Sequence, residues 1–225
     1  MDMHYFTRTC RKHCSWLKCL QRTALLIAAV FLAAGCVAGG KAPVAIDQYV
    51  LEYAPPSFEG VQPSGEVVRV GRFAVAQAMN TPMMVYRSRP YENNVDYYNR
   101  WRVNPGDMVT DYLLRDMRSS GLFRAVFSYR DAEDGRYLLQ GNIEDFLEVS
   151  DAGGRRAVIT VHVSLLDVSQ KEITKRVLFQ KKYGNAEAFA QSSASGFAQA
   201  MSRAMEKTSR SIIKDVVSAI SGKNQ

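Results

Sequence analysis

RYLLQGNIEDFLEV at positions 136–149, RRAVITVHVSLLDV at 155–168 and ITKRVLFQKKY at 173–183 are three β-prone runs separated by short polar breaks. In the middle run Ile159, Val161, Val163 and Leu165 fall on one side of an extended chain and His162 on the other. That period of two marks a strand with one buried face. The breaks, Asp151-Ala152-Gly153-Gly154 and Ser169-Gln170-Lys171-Glu172, carry residues suited to tight turns. Runs of this length at hairpin spacing predict a continuous antiparallel meander.

Beyond the meander the period changes. From about Ala186 the sequence reads as helix, with Phe197, Met201, Ala204, Met205, Thr208, Ile212, Val216 and Ile220 recurring at three- and four-residue steps, a stripe that should lie on the sheet. Before the meander, Asn104-Pro105-Gly106-Asp107 predicts a helix start. Asn104 can cap, Pro105 suits the first helical position, and Asp107 favours the positive end of the dipole. Val109, Leu113 and Met117 give that helix its apolar face, and Ser119-Ser120-Gly121 ends it. Tyr49 to Tyr53 reads as a first strand stopped by Pro55-Pro56, and Glu66 to Val75 as a longer one with room for a bulge near Gly71. Met83 to Arg87 and Val95 to Trp101 are two short strands joined by a polar turn from Pro90 to Asn94. Together these segments predict an α+β domain, a mixed and largely antiparallel sheet of about seven strands with two main helices packed on it.

The amino terminus is organised differently. Arg8, Arg11, Lys12, Lys18 and Arg22 precede an uncharged apolar run from Ala24 to Ala34, and Leu32-Ala33-Ala34-Gly35-Cys36 closes it. At about 1.5 Å per helical residue the run is too short to cross a hydrocarbon core of about 30 Å. Basic region, apolar region and small-residue cut site are the parts of a secretory leader. A cysteine directly after the cut makes it a lipoprotein leader, with cleavage between Gly35 and Cys36 and lipid attached at Cys36. This divides the chain into a removed segment 1–35, a lipidated tether 36–47 and a single domain 48–225. By the sorting rule of enteric bacteria, Val37 in place of Asp favours the outer membrane, the domain then lying on its periplasmic face.

Composition narrows the chemistry. The formal net charge is +7, but five basic residues and Asp2 leave with the leader. The remaining 24 basic and 21 acidic residues give +3 and no basic stripe, which argues against nucleic acid as a partner. Cys10, Cys14 and Cys19 also leave, so Cys36 stays alone and no internal disulfide is possible. His162 is then the one remaining histidine, read as an exposed or half-buried strand residue. A cysteine–histidine dyad or histidine-based metal site cannot be assembled from such a set, and no glycine-rich phosphate loop is present. The expectation is a protein without catalytic residues, metal or cofactor.

One stretch is enriched in aromatic and arginine side chains. Tyr86, Arg87, Arg89, Tyr91, Tyr98 and Arg100 form the candidate partner-binding set, since this mixture is favoured at interfaces. Trp101, at its end, is expected beneath the first helix.

The order of these parts resembles the ABC-type transport auxiliary lipoprotein family, which includes the paraquat-inducible protein C type. The resemblance is carried by Tyr49-Val50-Leu51, Val85-Tyr86-Arg87, Tyr97-Tyr98-Asn99-Arg100-Trp101 running into Asn104-Pro105, and a helix ending Ser120-Gly121-Leu122-Phe123-Arg124-Ala125-Val126. Tyr137 to Phe146 is similar to the strand in which the family, and the wider group of TolB N-terminal-like folds, places a glycine, here Gly141. The resemblance implies a TolB N-terminal-like fold and a non-enzymatic envelope component. Its partner would be a mammalian-cell-entry domain protein of a transporter moving phospholipids or other hydrophobic molecules between membranes, and it would work as a homo-oligomer. Rival readings on the same scaffold are a lipoprotein activator of a peptidoglycan synthase, a secretion-pore assembly component and a lipid-binding pocket protein. A synthase activator needs a long tether, whereas Val37 to Asp47 reaches at most ~35–40 Å.

Overall fold

The computed structural model describes residues 44–223, so the leader, the Gly35–Cys36 junction and most of the tether lie outside the described residues. Its strands are β1 (Asp47–Tyr49), β2 (Val67–Val70), β3 (Ala74–Val75), β4 (Met83–Arg87), β5 (Asn94–Trp101), β6 (Ala125–Ser128), β7 (Tyr137–Asp151), β8 (Gly154–Asp167) and β9 (Val177–Phe189). Its helices are α1 (Pro105–Ser119), the single turn α2 (Ile173–Arg176) and α3 (Ala194–Lys223).

The predicted meander is the spine of the sheet. β7 and β8 pair antiparallel from Tyr137↔Asp167 to Asp151↔Gly154, and β8 and β9 from Arg155↔Phe189 to Leu166↔Val177. Gly154, at φ +97°, takes the conformation that the tight turn between β7 and β8 requires. The other edge of β7 is shared by three short strands, all parallel to it. β2 takes Tyr137 to Leu139, β3 takes Asn142 and Ile143, and β4 takes Glu148 and Val149. β5 then pairs antiparallel with β4, β1 parallel with β5, and β6 parallel with β2. The longest ladders are antiparallel, the sheet as a whole mixed.

Several boundaries differ from the sequence reading. The segment 173–183 is not one strand: Ile173 to Arg176 makes a helical turn, and β9 continues through Ala186 to Phe189, so α3 begins at Ala194 rather than near Ala186. Pairing with β8 overrides the helix preference of Ala186-Glu187-Ala188. The first strand is Asp47–Tyr49, ending where 49–53 was expected to begin, because Leu51 turns into the core at 1 % exposure. The expected long strand 66–75 is two strands. Gly71 N still donates to Leu139 O (2.8 Å) and Ala76 N to Ile143 O (2.8 Å), so both pieces follow β7 across the break. Nine strands among the described residues replace the seven expected.

α1 starts as its sequence dictates. Asn104 Oδ1 accepts from Gly106 N at 2.9 Å, Asn104 Nδ2 donates to Asn80 Oδ1 at 2.8 Å, and Pro105 occupies the first turn. Gly121, at φ +67°, follows its carboxyl end. Asn104→Ala should therefore lower the unfolding free energy by about 0.5–2 kcal/mol. The denaturant midpoint reads this directly, and an unmoved midpoint would show that the helix needs no such cap.

Both long helices bury their stripes on one face of the sheet. All eight stripe residues predicted for α3, from Phe197 to Ile220, are buried. Polar bonds add to the seat of α3: Tyr183 Oη donates to Asp215 Oδ2 (2.7 Å) and Asn185 Nδ2 to Thr208 Oγ1 (2.8 Å). Burial and the Asp215 carboxylate push the Tyr183 phenol well above its usual range. On α1, Tyr53 stacks on Tyr112 with ring centres 5.4 Å apart, the Arg115 guanidinium lies 4.4 and 4.5 Å from the two rings, and Tyr53 Oη donates to the buried Asp116. This clasp holds the chain that leaves β1 against the helix layer.

Candidate functional site

β4 and β5 form a hairpin with an irregular register. Tyr86, Val85 and Met84 pair with Asn94, Val95 and Asp96, but the next residue, Met83, pairs with Arg100, so Tyr97, Tyr98 and Asn99 are extra on β5. The Asp96 carboxylate organises the excess. Its Oδ1 accepts from Tyr98 N (2.9 Å) and Asn99 N (3.0 Å), and its Oδ2 from Asn99 Nδ2 (2.8 Å). An aspartate bonding the backbone two and three residues on is a side-chain substitute for a turn. It lifts Tyr97 and Tyr98 out of the ladder, leaving them 72 % and 58 % exposed.

The bulge overlooks a groove of about 660 Å³ between the hairpin and the start of α3. Met84, Tyr86, Val95, Tyr97, Tyr98 and Phe197 supply its apolar and aromatic lining. Glu148, Ser150, Arg155, Ser192 and Ser193 supply the polar lining. Arg155 Nη1 bonds Glu148 Oε1 at 2.7 Å. Burial raises the Glu148 carboxyl above its usual range, and Arg155 draws it partly back. The arrangement offers ring faces and one compensated ion pair, which suits recognition of a surface with mixed apolar and polar character.

The candidate residues divide into three groups. Tyr86 and Tyr98 line the groove. Arg87, Arg89 and Tyr91 belong to the hairpin end instead: Arg87 Nε donates to Asn93 Oδ1 (2.9 Å), Arg89 pairs with Glu92 (2.9 Å), and Tyr91 stands fully exposed at φ +63°. Arg100 lies in the sheet between Gln48 and Met83 and does not line the groove. Trp101 is core, 1 % exposed against Phe146 and Phe197. The sequence reading missed Asp96, Phe197 and the Glu148–Arg155 pair. The Asp96-Tyr97-Tyr98-Asn99 run was the available signal, an aspartate followed by a turn-prone asparagine three residues on.

His162 sits on the solvent side of the sheet. Its Nε2 is 2.7 Å from Glu144 Oε2, which Lys182 Nζ also reaches at 2.7 Å. Lys182 and then His162 hold the Glu144 carboxyl below its usual range. The cluster is an exposed cross-strand ion pair on β7, β8 and β9.

A family model described as the ABC-type transport auxiliary lipoprotein component matches residues 49–213, from the end of β1 into α3 and across the whole hairpin. The chain belongs to this family. Membership makes it an auxiliary lipoprotein of ABC-type transport and agrees with the resemblance carried by its motifs. Solved structures show the same fold. Protein XCC0632 from Xanthomonas campestris, a DUF330 protein, is 17 % identical with a TM-score of 0.72, covering 80 % of this chain and 99 % of that one. An uncharacterized protein is 11 % identical with a TM-score of 0.59, covering 76 % and 99 %. The hypothetical protein CT253 from Chlamydia trachomatis is 11 % identical with a TM-score of 0.50, covering 69 % and 97 %. No curated protein matches the sequence.

Proposed function

We propose that this auxiliary lipoprotein is a non-enzymatic docking subunit, lipid-anchored through Cys36 on the periplasmic face of the outer membrane. It receives the periplasmic end of a transporter whose mammalian-cell-entry domain protein conducts phospholipids or other hydrophobic molecules between the membranes. The observation that carries this reading is the groove beside the Asp96 bulge. Two tyrosines are held out of the ladder there, beside a groove lined by aromatic and polar side chains. Exposed tyrosines fixed by their backbone lose little entropy on binding and are common anchors of interfaces. Self-association of the domain belongs to the same reading, each copy presenting one groove.

The anchor and the groove are tested separately. Labelled palmitate should enter the wild-type protein and not Cys36→Ala, and equal incorporation in both removes the anchor. Tyr86→Ala combined with Tyr98→Ala should weaken capture of the mammalian-cell-entry protein at least about tenfold, or about 1.4 kcal/mol. Both side chains are more than a third exposed, so the denaturant midpoint should stay in place. Undiminished capture, or capture of a peptidoglycan synthase or a pore subunit in place of the transporter, ends the proposal.

A further inference from the structure

We infer that the tip of the β4–β5 hairpin, with Tyr91 at its apex, rests in the headgroup layer of the bilayer that holds the protein. The inference rests on the lipid anchor proposed above and adds an orientation to it. Tyr91 is completely exposed, and its φ of +63° is a backbone conformation that bulky side chains avoid. The turn around it is built: Arg87 binds the Asn93 side chain, and Arg89 pairs with Glu92 across the apex. A strained residue in a braced turn, displaying a large ring to which no other described group is bonded, is a feature that functional sites retain.

What covers that ring follows from the course of the chain. β1 runs parallel to β5 in the register Asp47↔Asn99, so the residues before Asp47 head toward the beginning of β5, which is the hairpin tip. Ile46, on that path, is 47 % exposed. From Ala45 back to Cys36 is a span that reaches at most about 32 Å when fully extended. The tip therefore belongs to the end of the domain tied closest to the lipid. Its chemistry fits: tyrosine rings are enriched at the membrane–water interface, and Arg87 and Arg89 beside Tyr91 can meet lipid phosphates. Tyr91 does not line the groove, so the bilayer and a protein partner use different residues of one hairpin.

The test uses the full-length lipidated protein in vesicles of phosphatidylethanolamine and phosphatidylglycerol whose acyl chains are brominated close to the glycerol. Trp101 is buried and gives a constant background, and Trp16 leaves with the leader. Tyr91→Trp reports the tip. Ile173→Trp reports the opposite end of β8, where Ile173 is 77 % exposed. The emission added by Tyr91→Trp should fall at least twofold in brominated vesicles and shift to shorter wavelength, while that of Ile173→Trp stays unchanged. Equal quenching of the two, or none in either, in protein that floats with the vesicles overturns the orientation and leaves the anchor standing. Failure of the wild-type protein to float overturns both.

Discussion

Trp101→Ala should lower the unfolding free energy by about 3–5 kcal/mol, a large part of the roughly 5–15 kcal/mol that a domain has to lose. Trp101 ends β5 and meets Phe146 of β7 at 5.3 Å and 71°, and Phe197 of α3 at 5.5 Å. One side chain thus joins the hairpin that carries the groove to the spine of the sheet and to the long helix. Its loss leaves a cavity where three elements distant in sequence converge. The indole nitrogen has no hydrogen-bond partner among the described residues. Trp101→Phe keeps both ring contacts and removes that orphan, so it should cost much less than alanine. Chemical denaturation of the full chain measures both. An alanine variant within about 1 kcal/mol of wild type would show that the contact is incidental.

Gly141→Ala should cost about 3 kcal/mol, the upper end of what overpacking usually costs. A Cβ built at this position stands 2.5 Å from the His162 carbonyl oxygen and 2.5 Å from Phe73 Cε1. The first is the backbone of β8, fixed by the longest ladder in the sheet. The second is the ring by which the β2–β3 break is pressed onto β7, while Phe73 N donates a hydrogen bond to Thr110 Oγ1 of α1 at 2.9 Å. Methylating Gly141 therefore pushes at the joint between sheet and helix. Phe73→Ala should relieve part of the clash, so in a double-mutant cycle the cost of Gly141→Ala falls in that background. Strict additivity would mean that Phe73 has no part in the requirement for glycine.

The elements read correctly from sequence are those whose signal is local. The Asn104-Pro105 start of α1, the alternation of β8 and the stripe of α3 each declare themselves within a few residues. The misread boundaries are those settled at a distance. Ala186 to Phe189 has the composition of a helix and is a strand because β8 offers Val158, Ala157, Arg156 and Arg155 as partners. Arg100 and Arg87 look alike in sequence, yet one is enclosed by the neighbouring strands β1 and β4 and the other braces a turn. The groove itself was out of reach, since it depends on a register in which Met83 faces Arg100 and strands three residues of β5 outside the ladder. Phe197 joins that groove only through the packing of a helix that begins nearly a hundred residues later.

A nascent chain appears amino end first, and β7, the strand that β2, β3 and β4 all lie against, comes after every one of them. Until residues 137–151 emerge, β3 has no strand to pair with, and β2 has only the short β6. Contacts closed over such separations form late, whereas the β7–β8–β9 hairpins close as soon as they are made. The parallel pairings of β2, β3 and β4 thus wait for residues 137–151, past the middle of the polypeptide. On the reading proposed above, in which a leader carries the chain across a membrane, this order keeps the first strands from locking until more than half of the polypeptide has passed.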